Sequence, residues 1–478
     1  MKTLLLLAAT SLLLAACAVG PRYQPPATAP AALQGAQSAA FARQSPEAAW
    51  WQEFDDAELD SLMQRALTAN LDLRGAYDRV RAARAVFVQN KLDYAPHVPL
   101  QGAYSHSDEQ EPGFGNSRFD IQSDSLGFDA AWEIDLFGHV RHSVEAARAD
   151  LAVESANYQD AQVTVAAEVA RNYFELRSAQ KRLAVGRENL QTEQQTLELT
   201  RLLDETGRGS ELDVERSRAR LKATEASIPP LEAAEKQAAY RLAVLMNERP
   251  GALDQELHPV ASAAYSRPLP IGDPTELLRR RPDVRAAERQ LAAATARQGI
   301  ATADLFPRVN ITGFVGFLSG DVGRLFGTTP GNDARAWSIT PAVSWAAFDL
   351  GSVRARLRAS AAQSDAAAAH YEKVVLAALE DTENGLIAYR TQQERLKSLT
   401  EQAAASRRAA ELAATLYREG AADFLVLLDA QRTQLDAEDS VAQAEMAVNV
   451  AVVAIYKALG GLGQPLNDGA AAKTARLP

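Results

Sequence analysis

The chain aligns with itself, and a 478-residue polypeptide made of two copies of one unit has to fold into something built twice. At an offset of 211 to 213 residues, Asp72, Leu73 and Ala76 match Asp283, Val284 and Ala287, and Pro96 and Gly102 match Pro307 and Gly313. Trp132 and Gly138 likewise match Trp345 and Gly351, and Gly207 and Leu212 match Gly420 and Leu425. The period is too long for a solenoid, so the repeat is one duplicated structural unit.

Each half reads helix, two strands, long helix, glycine turn, helix. Residues 139 to 203 contain no proline, and Val169, Leu176, Leu183, Leu190 and Leu197 recur every seven residues, the spacing of a coiled-coil seam. Tyr389, Leu396, Ala403, Ala410 and Tyr417 repeat that seam in the second half. A helix of this length spans on the order of 100 Å, more than a compact globular domain needs. Segments 58 to 93 and 210 to 247 together nearly match the long helix, as do 273 to 305 and 423 to 459 against 351 to 417. Two short helices laid end to end would therefore run beside each long one. Their meeting points would gather the proline-bearing segment 248 to 272 and the C-terminal tail into a central belt.

Between the helices the period falls to two. Trp337, Ile339, Pro341, Val343 and Trp345 interleave with Ser338, Thr340, Ala342 and Ser344, and Leu126, Phe128, Ala130, Trp132 and Ile134 alternate with Gly127, Asp129, Ala131 and Glu133. Their expected partners carry Leu100 and Tyr104, and Val309, Ile311 and Val315. Strands of about ten residues, apolar on one side only, suit the wall of a transmembrane barrel, although a half-buried soluble sheet has the same pattern. The polar stretches 108 to 118 and 319 to 335 then read as extracellular loops. Four strands cannot close a barrel, and an open sheet edge is not viable in lipid. Three chains would supply twelve strands.

The first residues fix the compartment. Lys2, the apolar run Leu4 to Leu14 and the small residues before Cys17 form a secretory signal, too short for the roughly 20 residues of a membrane-spanning helix. Cys17 is the only cysteine, so no intramolecular disulfide is possible, and its position resembles a bacterial lipobox. Ala18 follows, where an aspartate would hold a lipoprotein in the inner membrane. The net charge of −11 argues against nucleic acid as a partner. No HExxH, GxSxG, P-loop or dinucleotide fingerprint occurs, so no catalytic residue, cofactor or metal is expected and the chain does not read as an enzyme. His139 and His142, three apart, could hold a metal, but without a third ligand nearby they read as solvated helix residues.

Taken in order, several stretches resemble the TolC-like outer-membrane factors, in particular the NodT-type lipoprotein branch that serves efflux pumps of the resistance-nodulation-division type. They are Cys17-Ala-Val-Gly-Pro-Arg-Tyr-Gln-Pro-Pro26, Trp51 through Ala66 with Asn70-Leu71, Arg281 through Glu288, and Tyr417-Arg-Glu-Gly420 leading into Leu427-Leu-Asp-Ala-Gln-Arg432. The resemblance implies a mainly α fold with transmembrane β: a homotrimeric channel-tunnel with a twelve-stranded barrel, a long periplasmic α-barrel and an equatorial domain. It also implies a periplasmic adaptor and an inner-membrane resistance-nodulation-division pump as partners, with the outer-membrane lipid around the barrel. Within Arg281 to Glu288, Pro282 suits a first helical turn and Arg285 with Glu288 would form a charge pair three residues apart, a structural reading with no transport chemistry.

The expected organisation is a signal peptide at 1–16, a lipidated linker at 17–55, a first repeat at 56–255, an equatorial linker at 256–272, a second repeat at 273–460 and a tail at 461–478. The first repeat holds strands 98–107 and 119–135, long helix 139–203 and helix 210–247. The second holds strands 308–318 and 336–348, long helix 351–417 and helix 423–459. Cys17 is the lipidation site. Asp204, Glu205 and Arg208 in the first glycine turn, with Asp423 beyond the second, are candidate gate residues at the periplasmic tip. The family carries acidic groups that narrow the bore at a place similar to Asp423. Asp423 is also a good helix cap, and Ser210 with Asp213 resembles a capping box. The function expected is a passive efflux conduit across periplasm and outer membrane. The alternatives are the outer-membrane duct of a type I protein secretion system or a structural coiled-coil envelope lipoprotein.

Overall fold

A computed structural model describes residues 19–26, 33, 35–44, 48–110, 118–260, 263–272, 278–329 and 332–461; the signal peptide, Cys17 and the tail past Gly461 lie outside them. Helices dominate: α1 (Ala57–Ala69), α2 (Leu71–Leu92), α3 (His139–Glu205), α4 (Glu211–Leu245), α5 (Pro282–Ala303), α6 (Leu350–Arg418) and α7 (Phe424–Ala458). The long helices α3 and α6 have 67 and 69 residues. Four strands make one antiparallel meander in the order β1 (Leu100–Gln110), β2 (Arg118–Ile134), β3 (Arg308–Ser319) and β4 (Arg335–Ser344). β4 stops at Ser344, short of the expected 348, because a turn in which Asp349 N–H donates to Ala346 O feeds straight into α6.

By contacts the chain forms two compact units. One holds the sheet and the docked residues 19 to 26, with Asp78–Ser155 and Ala286–Lys373, and the other holds Thr28–Tyr77, Ala156–Arg285 and the C-terminal part from Val374. In the second unit the expected heptad positions Val169, Leu176, Leu183 and Leu197 are buried, as are Tyr389, Ala410 and Tyr417. Burying one such leucine is worth about 2 kcal/mol, so the seam outweighs the weak intrinsic preference of any one turn. Pro229 and Pro230 lie inside α4, and the helix runs through them.

The segment read as a linker is partly core. Trp50 is fully buried in a short 3-10 helix, Trp50–Phe54, and its ring stacks on Tyr456 at 5.1 Å. Phe41–Ala42 pairs in parallel with Leu269–Pro270, tying the same segment to the expected equatorial linker. Aromatic burial of this size cannot be read from a stretch with no periodicity.

Both repeats break the first helix at one equivalent place. In the first, Asn70 leaves the helix with extended backbone, so the expected helix 58 to 93 is two helices. Its Oδ1 accepts from Asp72 N–H (2.9 Å) and Leu73 N–H (3.1 Å), capping α2, while its Nδ2 donates to Leu245 O, the end of α4, at 2.9 Å. In the second, Arg281 stands at the break before α5. Its Nη1 donates to Ala458 O, the end of α7, at 3.0 Å. A neutral amide and a guanidinium thus perform one task, joining the last carbonyl of one short helix to the start of the next.

The Arg285–Glu288 pair does not form. Arg285 instead donates to Gln159 Oε1, and Glu288 accepts from Tyr23 OH at 2.5 Å and pairs with Arg289 at 2.8 Å. Burial behind neighbouring helices offered each group a nearer partner than the one three residues along.

Candidate functional site

The strand registers sort the sheet into two chemically distinct faces. Residues directly opposite in an antiparallel pair share a face. One row therefore runs Leu100, Phe128, Val315, Trp337, the next Ala130, Gly313, Ile339, and the next Trp132, Ile311, Pro341, ending in Ile134, Val309, Val343. The reverse face carries Gln101, Gly127 and Gly316, then Asp129 and Ser338, then Thr312 and Thr340. The apolar face is bare: Trp337 is 77% exposed, Val343 70% and Leu100 62%. An apolar surface of this extent is stable only against lipid or another protein. Large apolar side chains also occur on the reverse face, at Ile121, Leu318 and Phe314. The Phe314 ring lies across the Gly127–Gly316 pair, where an added Cβ at Gly127 would come within 2.6 Å of it.

Two tryptophans at the foot of the sheet occupy equivalent repeat positions and make equivalent bonds. Trp132 Nε1 donates to Tyr94 O at 3.1 Å and Trp345 Nε1 to Leu305 O at 3.0 Å. Each indole ties a strand to the end of the helix that enters the sheet while leaving its rings on the apolar face, the amphipathic placement of an interfacial aromatic.

Below this point in the same unit, residues 19 to 26 lie against α3 and α5. Val19 N–H donates to Phe137 O, and His142 Nε2 bonds Val19 O at 2.9 Å. Tyr23 packs on Ala149, Ala292 and Ala293 and donates to Glu288; burial and that carboxylate push its phenol above the ordinary tyrosine value. The solvated reading of the two histidines is therefore wrong. His142 is buried between Val19 and Glu145, and His139 faces Glu133, Asp304 and Arg308. The imidazoles serve different partners, and among the described residues no three metal-binding side chains converge. Cys17 lies outside the described residues, two positions before the docked Val19.

The glycine turns meet within one chain. Gly207 and Gly420 take φ of +70° and +73°, the left-handed conformation that ends a helix, and the Arg208 guanidinium lies 3.5 Å from where a Gly420 Cβ would stand. Tyr417, Phe424 and Leu427 pack on Leu199 and Leu203 of α3, fixing one hairpin against the other. Ser210 caps α4 by accepting from Asp213 N–H, and its hydroxyl donates to the Asp213 carboxylate at 2.7 Å, so the box closes through the side chain rather than the Ser210 amide. Asp423 stands at the N-cap of α7 with extended backbone, but its side chain makes no cap hydrogen bond. Among the described residues, Asp204, Glu205, Arg208 and Asp423 form no ion pair.

The model of the outer membrane efflux protein family matches residues 62–248 and 274–461, one match for each repeat. The chain belongs to the outer membrane efflux protein family. It is similar to the probable efflux pump outer membrane protein TtgC of Pseudomonas putida, 33% identical with 96% of each chain covered. It is 29% identical to nodulation protein T of Rhizobium leguminosarum bv. trifolii, over 91% of this chain and 92% of that one. Among solved structures, the outer-membrane channel OprN superposes with a TM-score of 0.90 at 48% identity, covering 94% of this efflux protein and all of that chain. The open-state MtrE outer membrane channel of Neisseria gonorrhoeae gives 0.82 at 29% identity, over 93% and 98%. The efflux protein is therefore an outer-membrane channel.

Proposed function

We propose that three copies of this efflux protein close a twelve-stranded barrel and a periplasmic α-barrel, forming the exit duct of a tripartite pump. The duct passively carries small molecules handed on by a periplasmic adaptor and an inner-membrane pump of the resistance-nodulation-division type. The observation that carries this reading is the sheet: four strands, one face apolar from the row of Leu100 and Trp337 down to that of Val343, and, among the described residues, no partner on the outer edge of either edge strand. Unpaired backbone groups in hydrocarbon cost several kcal/mol each, so the edges demand neighbours. Lipid on Cys17 supplements the barrel, and Asp423 with the first-turn charges narrows the periplasmic opening. Nothing in a passive duct calls for catalysis, so no reaction is assigned to it; the choice of cargo belongs to the pump. Native mass of the detergent-extracted protein should give three chains, with discrete conductance in planar bilayers. A stable, functional monomer would overturn the reading.

A further inference from the structure

The segment that joins β3 to β4 reads in the sequence as a free polar loop, but part of it folds back onto the apolar face of the sheet. Ser319 Oγ accepts from Asp321 N–H at 3.2 Å, and Asp321 Oδ1 accepts from Gly323 N–H at 2.8 Å, capping the 3-10 turn Val322–Arg324. Gly327 N–H donates to Arg324 O at 2.8 Å, and Gly327 O accepts from Ala334 N–H at 3.1 Å. Ala334 O in turn accepts from Leu318 N–H at 2.7 Å, so the turn is tied to both strands. Leu325 and Ala334 are buried, and the Phe326 ring meets the Phe317 ring edge-on at 5.4 Å. Phe317 stands opposite Leu126, on the face that carries Phe128 and Trp337. Phe326 therefore lies on that face too.

Its level along the strands is fixed by where the apolar rows end. Phe317 stands between Leu126 and Arg335, and the next row holds Tyr104, Asp124 and Ser319, so charge begins there. From Trp345, just past the foot of β4, to Arg335 at its head the chain rises about 33 Å at about 3.3 Å per residue. Tilted by about 40°, that is a height of about 25 Å, the apolar band of an outer-membrane barrel. Trp132 and Trp345 mark one boundary of the band, so Arg335, Phe317 and Phe326 fall at the other, where aromatic rings gather and arginine stems snorkel. Asp124, one row further on, is buried and accepts from Gln122 Nε2 at 3.1 Å. A bare carboxylate so close to hydrocarbon would be costly.

Phe326 stays 65% exposed and Val322, on the same turn, 66%, although the backbone around them is fixed. We propose that Asp321–Gly327 is a membrane collar: Phe326 enters the outer leaflet at the boundary between headgroups and acyl chains, and lipid is the partner of this surface. The inference rests on the barrel reading above, because the collar continues the apolar face through the Phe317–Phe326 contact. A connection that served only to close the hairpin would be served as well by polar side chains turned to water; this one lays a bare phenyl ring on the last apolar row.

Fluorescence quenching in the full-length protein, reconstituted into phosphatidylcholine vesicles, tests the collar. A nitrobenzoxadiazole label is attached at Phe326→Cys, at Trp337→Cys within the apolar face and at Asp120→Cys beyond it, while the protein without an added cysteine measures whatever label Cys17 takes. Lipid carrying a nitroxide near the top of its acyl chain should quench the Phe326→Cys label comparably to the Trp337→Cys label and several-fold more than the Asp120→Cys label. Iodide on both sides of the membrane should do the reverse. Val322→Cys should behave as Phe326→Cys does, and stands in for it if loss of the ring prevents assembly. A collar label quenched by iodide as strongly as the Asp120→Cys label, or by neither agent because protein covers it, overturns the collar while Trp337→Cys still reports lipid. If Trp337→Cys also escapes the nitroxide, the barrel reading falls with it.

Discussion

Asp423 is an exposed carboxylate at a helix start whose side chain makes no cap hydrogen bond. An aspartate that capped α7 would cost about 1 kcal/mol on truncation. Here Asp423→Ala should change thermal stability by less than about 0.5 kcal/mol, as for an ordinary surface site. If the carboxylate narrows the opening, the same variant raises open probability in planar bilayers and weakens the effect of divalent cations. Unchanged conductance would remove Asp423 from the gate. Arg281 and Asn70 differ in the opposite way. Both hold a helix joint, but Arg281→Ala strands Asp283, a 2.7 Å partner, together with two carbonyls, whereas Asn70→Ala loses a cap and one carbonyl bond. Detergent melting should fall by about 3 kcal/mol for the first and about 1 to 2 for the second. Near Arg281, burial pushes the Asp160 carboxyl above the ordinary aspartate value of 3.8, with Asp283 adding to the shift and Lys457 and Arg281 opposing it. The folded chain therefore holds that proton more tightly than the unfolded one. The resulting stability is fully present below the unfolded value and is lost as pH rises through the folded one. Asp160→Asn should flatten this slope and raise stability at neutral pH, visible in melts from about pH 4 to 7; a steeper slope would refute it.

At the scale of elements, the strands were legible because a two-residue period with one apolar face leaves a strong mark on sequence. The apolar rows through Phe128 and Trp337 follow the alternation read from the chain. The long helices were legible for the matching reason, a seven-residue seam with no proline in α3. What stayed hidden depends on contacts distant in sequence. Asn70 sits inside an unbroken helical period, and only the approach of Leu245 reveals that it ends one helix and caps another. His142 showed no reason to be buried until residues 19 to 23 lay over it. The charged turns were legible as such, but the packing of Tyr417, Phe424 and Leu427 on Leu199 and Leu203 was not, because it depends on proximity in three dimensions. The alternation gives Phe314 no distinct role, although a ring covering two glycines stabilises a sheet where backbone is otherwise bare. Gly316→Ala would drive a Cβ to 2.4 Å from Gly127 Cα. It should lower the temperature at which trimers dissociate on denaturing gels, while Gly313→Ala, whose nearest contact is 3.3 Å, should lower it less. Equal effects would mean that the close Gly127–Gly316 approach does not limit the sheet.

For the whole molecule, the docked N-terminal segment decides what the lipid proposed on Cys17 would contribute. Val19 and Tyr23 are held by hydrogen bonds and packing of their own, so the chain start stays in place whether or not a lipid precedes it. Cys17→Ala should abolish palmitate labelling and reduce, without eliminating, the amount of trimer in the outer membrane. A single acyl chain gives only marginal membrane affinity, and a closed barrel does not depend on it. Complete loss of insertion would show that the anchor, not the barrel, drives assembly.

The fused repeat has a further consequence for how such a duct can change. If three double-unit chains form the ring proposed above, a codon alters three of six near-equivalent positions, and its counterpart 211 to 213 residues away stays untouched. Asn70 and Arg281 already show two solutions to one joint existing side by side. An aperture lined by the two kinds of hairpin could in that ring be retuned by half, one set keeping the seal while the other drifts, an economy of error that six identical subunits would not have.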